Sequence, residues 1–362
     1  MMDRLFLTGS GLYFPPETIS TEELVAAYNT YAEQVGNEVV KSDAHFIDQV
    51  SGIQSRHVMN RSGILNSQRM YPEIPKRSND ELSIQAEFGV NAARAALENT
   101  GIGADRVDAV IVACSGTQRI FPAISIEIQN ALEIKGWAFD VHAACASAVF
   151  GINMAVASIH AGLADTILVV VPELYTGQVN FKDRRSHFIF GDGAAAVVIE
   201  RTPFSKKTGH FKIVSTRLMS RFSNNIRNNF GFLNRCETGP KSREDCLFSQ
   251  NGARVMAEVV QMAIDFIGAH MDSESLSHSQ LKRLWLHQAN IRMNQAIASG
   301  VFGRAVKPDE APITLTQYGN IGAAGVLAAF HLHHEDLQRE DYAVMSAFGA
   351  GYAIGSIILQ KG

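Results

Sequence analysis

Cys145 stands where a thiol can be made reactive by its position in the chain. The stretch Asp140-Val141-His142-Ala143-Ala144-Cys145-Ala146-Ser147-Ala148-Val149-Phe150-Gly151 reads as a strand end, a sharp turn and the start of a helix. That helix continues through Met154, Ala155, Ser158 and Ile159 to Gly162. Its residues are small and apolar on nearly every side, which predicts a buried helix rather than an amphipathic one. Free N–H groups and partial positive charge at a helix N-terminus stabilise a thiolate, giving a nucleophile that has no adjacent base. A small buried core thiol fits the same residues, and the stretch alone leaves both readings open. Two other polar residues stand out later in the chain: His287, closing Leu284-Trp285-Leu286, and Asn320, in Gly319-Asn320-Ile321-Gly322. Taken singly, His287 reads as a core histidine. Asn320 reads as turn chemistry, because asparagine tolerates left-handed backbone.

An internal repeat is what brings residues so far apart together. With a division near Arg201, each half closes on an expected hairpin with glycine at its turn. In the first half this is Ser186–Phe190, the turn Gly191-Asp192-Gly193, and Ala194–Glu200. In the second it is Tyr342–Phe348, the turn Gly349-Ala350-Gly351, and Tyr352–Gln360. A loop feeding a small-residue helix precedes each hairpin. The first such loop holds Cys145; the second is Gly319–Gly325, leading into Val326–His331. One step earlier, Val110–Ser115 corresponds to Leu284–Asn290, so a structural Cys114 takes the place equivalent to His287. Each half thus reads as βαβαβ with a closing hairpin, the pattern of an α/β protein whose mainly parallel strands are covered by helices. The expected division is 1–201, carrying the cysteine, and 202–362, carrying the histidine and asparagine. Ligands of open α/β sheets gather at the carboxyl ends of strands. Cys145, His287 and Asn320 all fall at such ends, so a shared cavity is expected.

Outside the repeat, a first strand is expected at Arg4–Gly9, and Ser20-Thr21-Glu22-Glu23 forms a capping box opening a helix through Tyr28. A charged, loop-rich region follows from Lys41 to Ser83. Ser78-Asn79-Asp80-Glu81 is expected to cap an alanine-rich helix from Leu82 to Asn99. A strand at Val107–Ala113 and a helix at Ala123–Leu132 complete the approach to Cys145.

Composition narrows the function. The 362 residues are 46% apolar and 19% charged, with a formal net charge of −4, an ordinary globular balance. No basic block or basic–aromatic interleaving suggests nucleic acid. The N-terminal residues read straight into a strand, so no secretory segment is expected. The longest apolar run, Thr166–Val171, is too short to span a bilayer, so no membrane role is expected. Cys114, Cys145, Cys236 and Cys246 show no metal or redox spacing. They read as reduced thiols of a cytoplasmic protein. His331, His333 and His334 beside Glu335 and Asp336 read as a solvated helix end rather than a metal site, and Asp192 as a turn or interface residue.

Five segments, in order and over almost the full length, carry a resemblance: Ala143-Ala144-Cys145-Ala146, Phe190-Gly191-Asp192-Gly193-Ala194, Leu286-His287-Gln288-Ala289-Asn290-Ile291-Arg292, Gly319-Asn320 and Ala347-Phe348-Gly349-Ala350-Gly351. Together they resemble the β-ketoacyl-acyl-carrier-protein synthase III family of thiolase-fold condensing enzymes. The resemblance implies a thiolase-like fold of two duplicated halves in αβαβα layers. It implies decarboxylative Claisen condensation of an acyl-coenzyme A with malonyl-acyl carrier protein, giving 3-oxoacyl-acyl carrier protein, CO2 and coenzyme A without a cofactor. Cys145 would then be the acyl-carrying nucleophile. Nε2 of His287 and the amide of Asn320 would hold the enolate oxygen, and the N–H groups of Cys145 and Ala350 the acyl oxyanion. Ala350 stands where the family usually has glycine. The resemblance also places Phe121, in Thr117–Pro122, at an acyl-pocket floor reached across a homodimer. Gly252, Met256 and Asn290 fall along the pantetheine tunnel, and Gln288, Ala289, Asn290, Ile291 and Arg292 at the carrier-protein contact. The first-half sheet, with its apolar strand Thr166–Val171, is expected to pair with its copy across the dimer's twofold axis.

The coenzyme end departs from the family. Gln49 replaces its adenine-holding arginine, His45 or Phe46 its tryptophan, and Gly63–Arg77 is an added loop. With Met256 for phenylalanine, these changes resemble a branch that accepts medium-length acyl-coenzyme A, whereas Phe121 favours acetyl. The glycine turn lacks a thiolase's second cysteine, Asn320 replaces the histidine of an elongating synthase, and no glutamate is expected near Cys145 as a hydroxymethylglutaryl synthase would require. Two alternatives remain: an acyltransferase of secondary metabolism joining other acyl thioesters, and a non-catalytic acyl-binding paralogue.

Overall fold

Strand residues alternate faces, and here both faces of the central strands are apolar. Ala109, Ile111, Ala113, Ile167, Val169 and Val171 enter one buried cluster; Val110, Val112, Leu168 and Val170 enter another on the opposite face. The computed structural model describes residues 5–36, 39–203, 209–228 and 242–362, so Arg4 and Cys236 lie outside the described residues. Among the described residues nine strands form one mixed sheet, in the order Leu281–Leu286, Tyr342–Gly349, Ala353–Lys361, Phe211–Ser220, Leu5–Tyr13, Gly193–Glu200, Thr166–Glu173, Ala109–Ala113 and Trp137–Val141. The two ends of this list correspond. Ala109–Ala113 lies parallel to Thr166–Glu173 as Leu281–Leu286 does to Tyr342–Gly349. Gly193–Glu200 and Ala353–Lys361 then return antiparallel.

Five layers result. Helices Ser147–His160 and Ala324–Leu332 share the central cluster with inward residues of both sheet halves, among them Val169 and Met345. Helices Ile84–Thr100 and Ile124–Ala131 cover the outer face of the first half. Helices Gly252–Ser273 and Ile291–Phe302 cover the outer face of the second. Among the described residues no helix is long and apolar enough to cross a membrane.

Three expectations need correction. Ser186–Ile189 is a run of turns, not a strand, and Gly193–Glu200 pairs with Thr166–Glu173 instead. His187 stacks on Tyr28 at 4.5 Å and Phe190 on Tyr175 at 4.1 Å. These contacts draw the aromatic segment off the sheet into a cluster beneath helix Thr21–Val35. Ser78 and Glu81 close a local turn; the helix begins at Ile84, with Ser83 accepting from the Ala86 N–H at 3.1 Å. Thr166–Glu173 lies inside the sheet, buried at every position, and the edge on that side is Trp137–Val141. His331 and His334 are half-buried rather than solvated. His331 bonds Ser10 at 2.8 Å and His334 stacks on Phe330 at 4.7 Å. The capping box at Ser20 and Glu23 is present, and its helix runs on past Tyr28 to Val35 because Ala32 is also buried. The added loop buries Ile64 and Met70 against Tyr175, Phe181 and Phe190.

Candidate active site

Three backbone devices assemble the site. Ala144, with φ of +49°, turns the chain sharply after strand Trp137–Val141. The Ser147 hydroxyl accepts from the Ala143 N–H at 2.8 Å, fixing Cys145 just ahead of helix Ser147–His160. Gly349 passes so close that a Cβ there would lie 2.7 Å from the Cys145 nitrogen, which only glycine permits. On the other side, the His287 N–H donates to Ser346 at 2.9 Å and its ring meets Phe348 edge-on at 5.4 Å. Gly319 and Gly322 take the left-handed backbone, so Asn320 does not. The Asn320 side-chain oxygen accepts from the Gly322 N–H at 3.0 Å, which leaves its NH2 group free to donate.

Cys145, His287, Asn320 and Gly349 line one cavity of about 190 Å³. Its walls add Phe190, known from the sequence only as a motif residue, and Phe188, Phe248, Val255 and Val259, which sequence reasoning did not single out. Burial pushes the His287 pKa down to about 4, so the ring is neutral at neutral pH. Cys145 is the reverse of the stabilised thiolate expected from helix position. Burial first, then the charge of Glu173, push its pKa up to about 12, against hydrogen bonds from the Ser115 and Tyr175 hydroxyls. The resting group is the thiol, because desolvation exceeds what a helix end returns. Glu173 also corrects the expectation of no glutamate near Cys145. It is fully buried, and burial pushes its pKa up to about 7. A lone carboxylate closing the apolar strand Thr166–Glu173 was the available signal.

Other expected positions divide. Gly252, Ala289 and Asn290 line the cavity, though the Asn290 side chain also caps helix Ile291–Phe302 through the Met293 N–H at 2.8 Å. Met256 does not: helical phase turns residues 252, 255 and 259 to the cavity, and Met256 packs into the second-half core. Gln288 is wholly buried, bonded to the Leu286 carbonyl at 2.9 Å and the Thr314 N–H at 2.8 Å, so it cannot meet a carrier protein. Arg292 is exposed and donates to the Gln49 carbonyl at 3.3 Å. Ala350 follows Gly349 in the turn and is half-buried. Phe121 is 81% exposed and lies away from its own chain's cavity. Asp192 is a buried clamp, accepting from the N–H groups of Met59 and Thr176, both at 2.8 Å.

Two α/β halves closed around a cysteine–histidine–asparagine cavity define a thiolase-like condensing enzyme, an acyltransferase. Residues 139–221 match the family profile described as 3-oxoacyl-[acyl-carrier-protein (ACP)] synthase III, and residues 271–361 match the profile of its C-terminal part. The chain is 46% identical to a beta-ketodecanoyl-[acyl-carrier-protein] synthase of Pseudomonas aeruginosa, over 92% of this chain and 99% of the relative. It is 26% identical to a beta-ketoacyl-[acyl-carrier-protein] synthase III of Bartonella henselae, over 99% and 100%. A crystal structure of 3-oxoacyl-(acyl carrier protein) synthase III from Pseudomonas aeruginosa PAO1 superposes with a TM-score of 0.76 at 24% identity, covering 99% of this chain and 98% of that one. The chain belongs to the β-ketoacyl-acyl-carrier-protein synthase III family.

Proposed function

We propose that this protein condenses a medium-chain acyl-coenzyme A with malonyl-acyl carrier protein, using Cys145 as the acyl carrier and no cofactor. The observation that carries the reading is the meeting of Cys145, His287 and Asn320 in one cavity. Its chain-length part leans on the relative named for a ketodecanoyl product. Removing the two carbons that a malonyl unit adds leaves a primer of about eight carbons. The Cys145 sulfur attacks the primer thioester, and the N–H groups of Cys145 and Ala350 hold the oxyanion. Malonyl thioester then loses CO2. The enolate oxygen takes hydrogen bonds from Nε2 of neutral His287 and from the Asn320 NH2 group. The enolate carbon attacks the acyl-cysteine and expels its sulfur.

His287→Ala and Asn320→Ala should each leave acylation of Cys145 intact and slow condensation by about 10²–10³-fold, the usual cost of losing one oxyanion donor. Single-turnover assays with radiolabelled acyl-coenzyme A separate the two steps. Loss of acylation in both variants would instead assign these residues to thiol activation.

The protein is proposed to be cytoplasmic, with halves 1–201 and 202–362. Arg185 at the cavity and exposed Arg292 suit the negative charge of coenzyme A and the carrier protein. The proposed homodimer joins edge strands Trp137–Val141 across a twofold axis, covering the exposed Phe121 and Phe139. Interfaces of that kind bury more than about 2,000 Å². Light scattering at micromolar concentration should therefore give twice the 39.5 kDa chain mass; a monomer rejects the pairing.

A further inference from the structure

Nothing in that reaction gives Cys145 a base, although its half-buried thiol is held neutral. The neighbouring carboxylate is built for more than support. Oε1 of Glu173 accepts from the Ser115 N–H at 2.8 Å, the Ser115 hydroxyl at 2.8 Å and the Ala323 N–H at 2.9 Å. Oε2 is equally buried, yet has no hydrogen-bond partner among the described residues. The same Ser115 hydroxyl lies close enough to the Cys145 sulfur to lower its pKa against burial, and with its proton on Glu173 its oxygen is left to accept from the thiol. Sulfur, hydroxyl and carboxylate are thus neighbours, and the carboxylate is closed off by Gly322, where a Cβ would lie 2.8 Å from the Glu173 carboxyl carbon. The titratable groups facing Glu173 are Cys114, Cys145, Tyr175 and Asp192, none of them cationic.

We propose that Ser115 and Glu173 form a proton relay for Cys145, with Ser115 touching the sulfur and Glu173 acting through it as a positioning residue that stores the proton. The proposal rests on the reading of Cys145 as the acyl carrier. During acylation the S–H bond breaks as the sulfur–acyl bond forms. The proton passes to the Ser115 oxygen while the Ser115 proton moves to Glu173. The acyl–sulfur bond to coenzyme A breaks, and that thiolate takes a proton from water. Glu173 stays protonated while Cys145 is acylated, so the malonyl carboxylate meets no buried negative charge there. When condensation expels the cysteine sulfur, the stored proton returns along the same path. The sum consumes one proton from water per CO2 released, as decarboxylation requires. A Glu173 pKa near 7 suits a group that must both take and return a proton at neutral pH.

The sign of one substitution decides between relay and repulsion. The negative charge of Glu173 raises the Cys145 pKa, so if charge were its whole effect, Glu173→Gln would make the thiol more reactive. The relay predicts the opposite: Glu173→Gln and Ser115→Ala each slow iodoacetamide alkylation of Cys145 at pH 7 by about 10²-fold, the lower range for general-base assistance. Their rates should also climb with hydroxide from about pH 6 to 9, where the native rate levels off above about pH 7. Ser115→Ala keeps both N–H bonds to Glu173, so a role confined to folding leaves its rate native. Alkylation that is unchanged or faster in both variants overturns the relay. Acyl transfer from acetyl-, octanoyl- and decanoyl-coenzyme A is followed in parallel by mass spectrometry. A native protein that is alkylated but never acylated refutes the condensing reading, while the alkylation arm still decides the relay.

Discussion

Cys145→Ala is expected to cut condensation by about 10⁴–10⁶-fold, the range seen when a covalent nucleophile is removed and the rest of a site stays in place. The size of the loss follows from the site. His287 and Asn320 are held by their own loops, through Ser346 and Gly322, and neither depends on the sulfur. Decarboxylation of malonyl-acyl carrier protein should therefore continue in the variant, releasing CO2 without a condensed product. The substitution should also fold, because alanine keeps the backbone at Gly349 and removes only one half-buried sulfur. Measuring labelled CO2 and ketoacyl product together gives the test. Condensation within tenfold of native would mean that Cys145 carries no acyl group. Loss of both products together would mean that the cavity had collapsed.

The three polar residues of the cavity were legible because each repeats a pattern. Cys145 and Asn320 both sit in loops that feed small-residue helices, and His287 ends a strand equivalent to Ala109–Ala113. Parity along the strands made the layers readable as well: alternate residues such as Ile111 and Val112 enter opposite clusters. What failed depended on contacts between distant segments. Ser186–Phe190 has strand-like residues, but Tyr28 and Tyr175 capture its rings. The Glu173 network draws on Ser115 and Ala323, which only the folded chain brings together. The family resemblance puts Met256 in the tunnel, whereas helix phase presents Val255 and Val259 to the cavity. Gln288 looked available beside Asn290, yet its amide is spent on Leu286 and Thr314.

Octanoyl-coenzyme A should exceed acetyl-coenzyme A in kcat/KM by about 10²–10³-fold with saturating malonyl-acyl carrier protein. Roughly six more methylenes at about 0.8 kcal/mol each give an upper bound near 5 kcal/mol, part of which is spent on ordering the chain. The walls around Cys145 suit an alkyl group: Phe190 and Phe248 pack edge to face at 4.8 Å, and Val259 closes beside them. The added loop supports that wall from behind through Ile64 and Met70. Phe121 decides how far the chain can run. Since it lies away from its own cavity and 81% exposed, it can limit length only from a second copy across the proposed dimer. If its ring is a movable gate, Phe121→Ala should leave octanoyl use near native and extend acceptance to longer primers. If it is a rigid stop, the native enzyme should favour acetyl strongly, and Phe121→Ala should reverse that order. A native preference for acetyl would refute the medium-chain primer and leave the condensation itself standing.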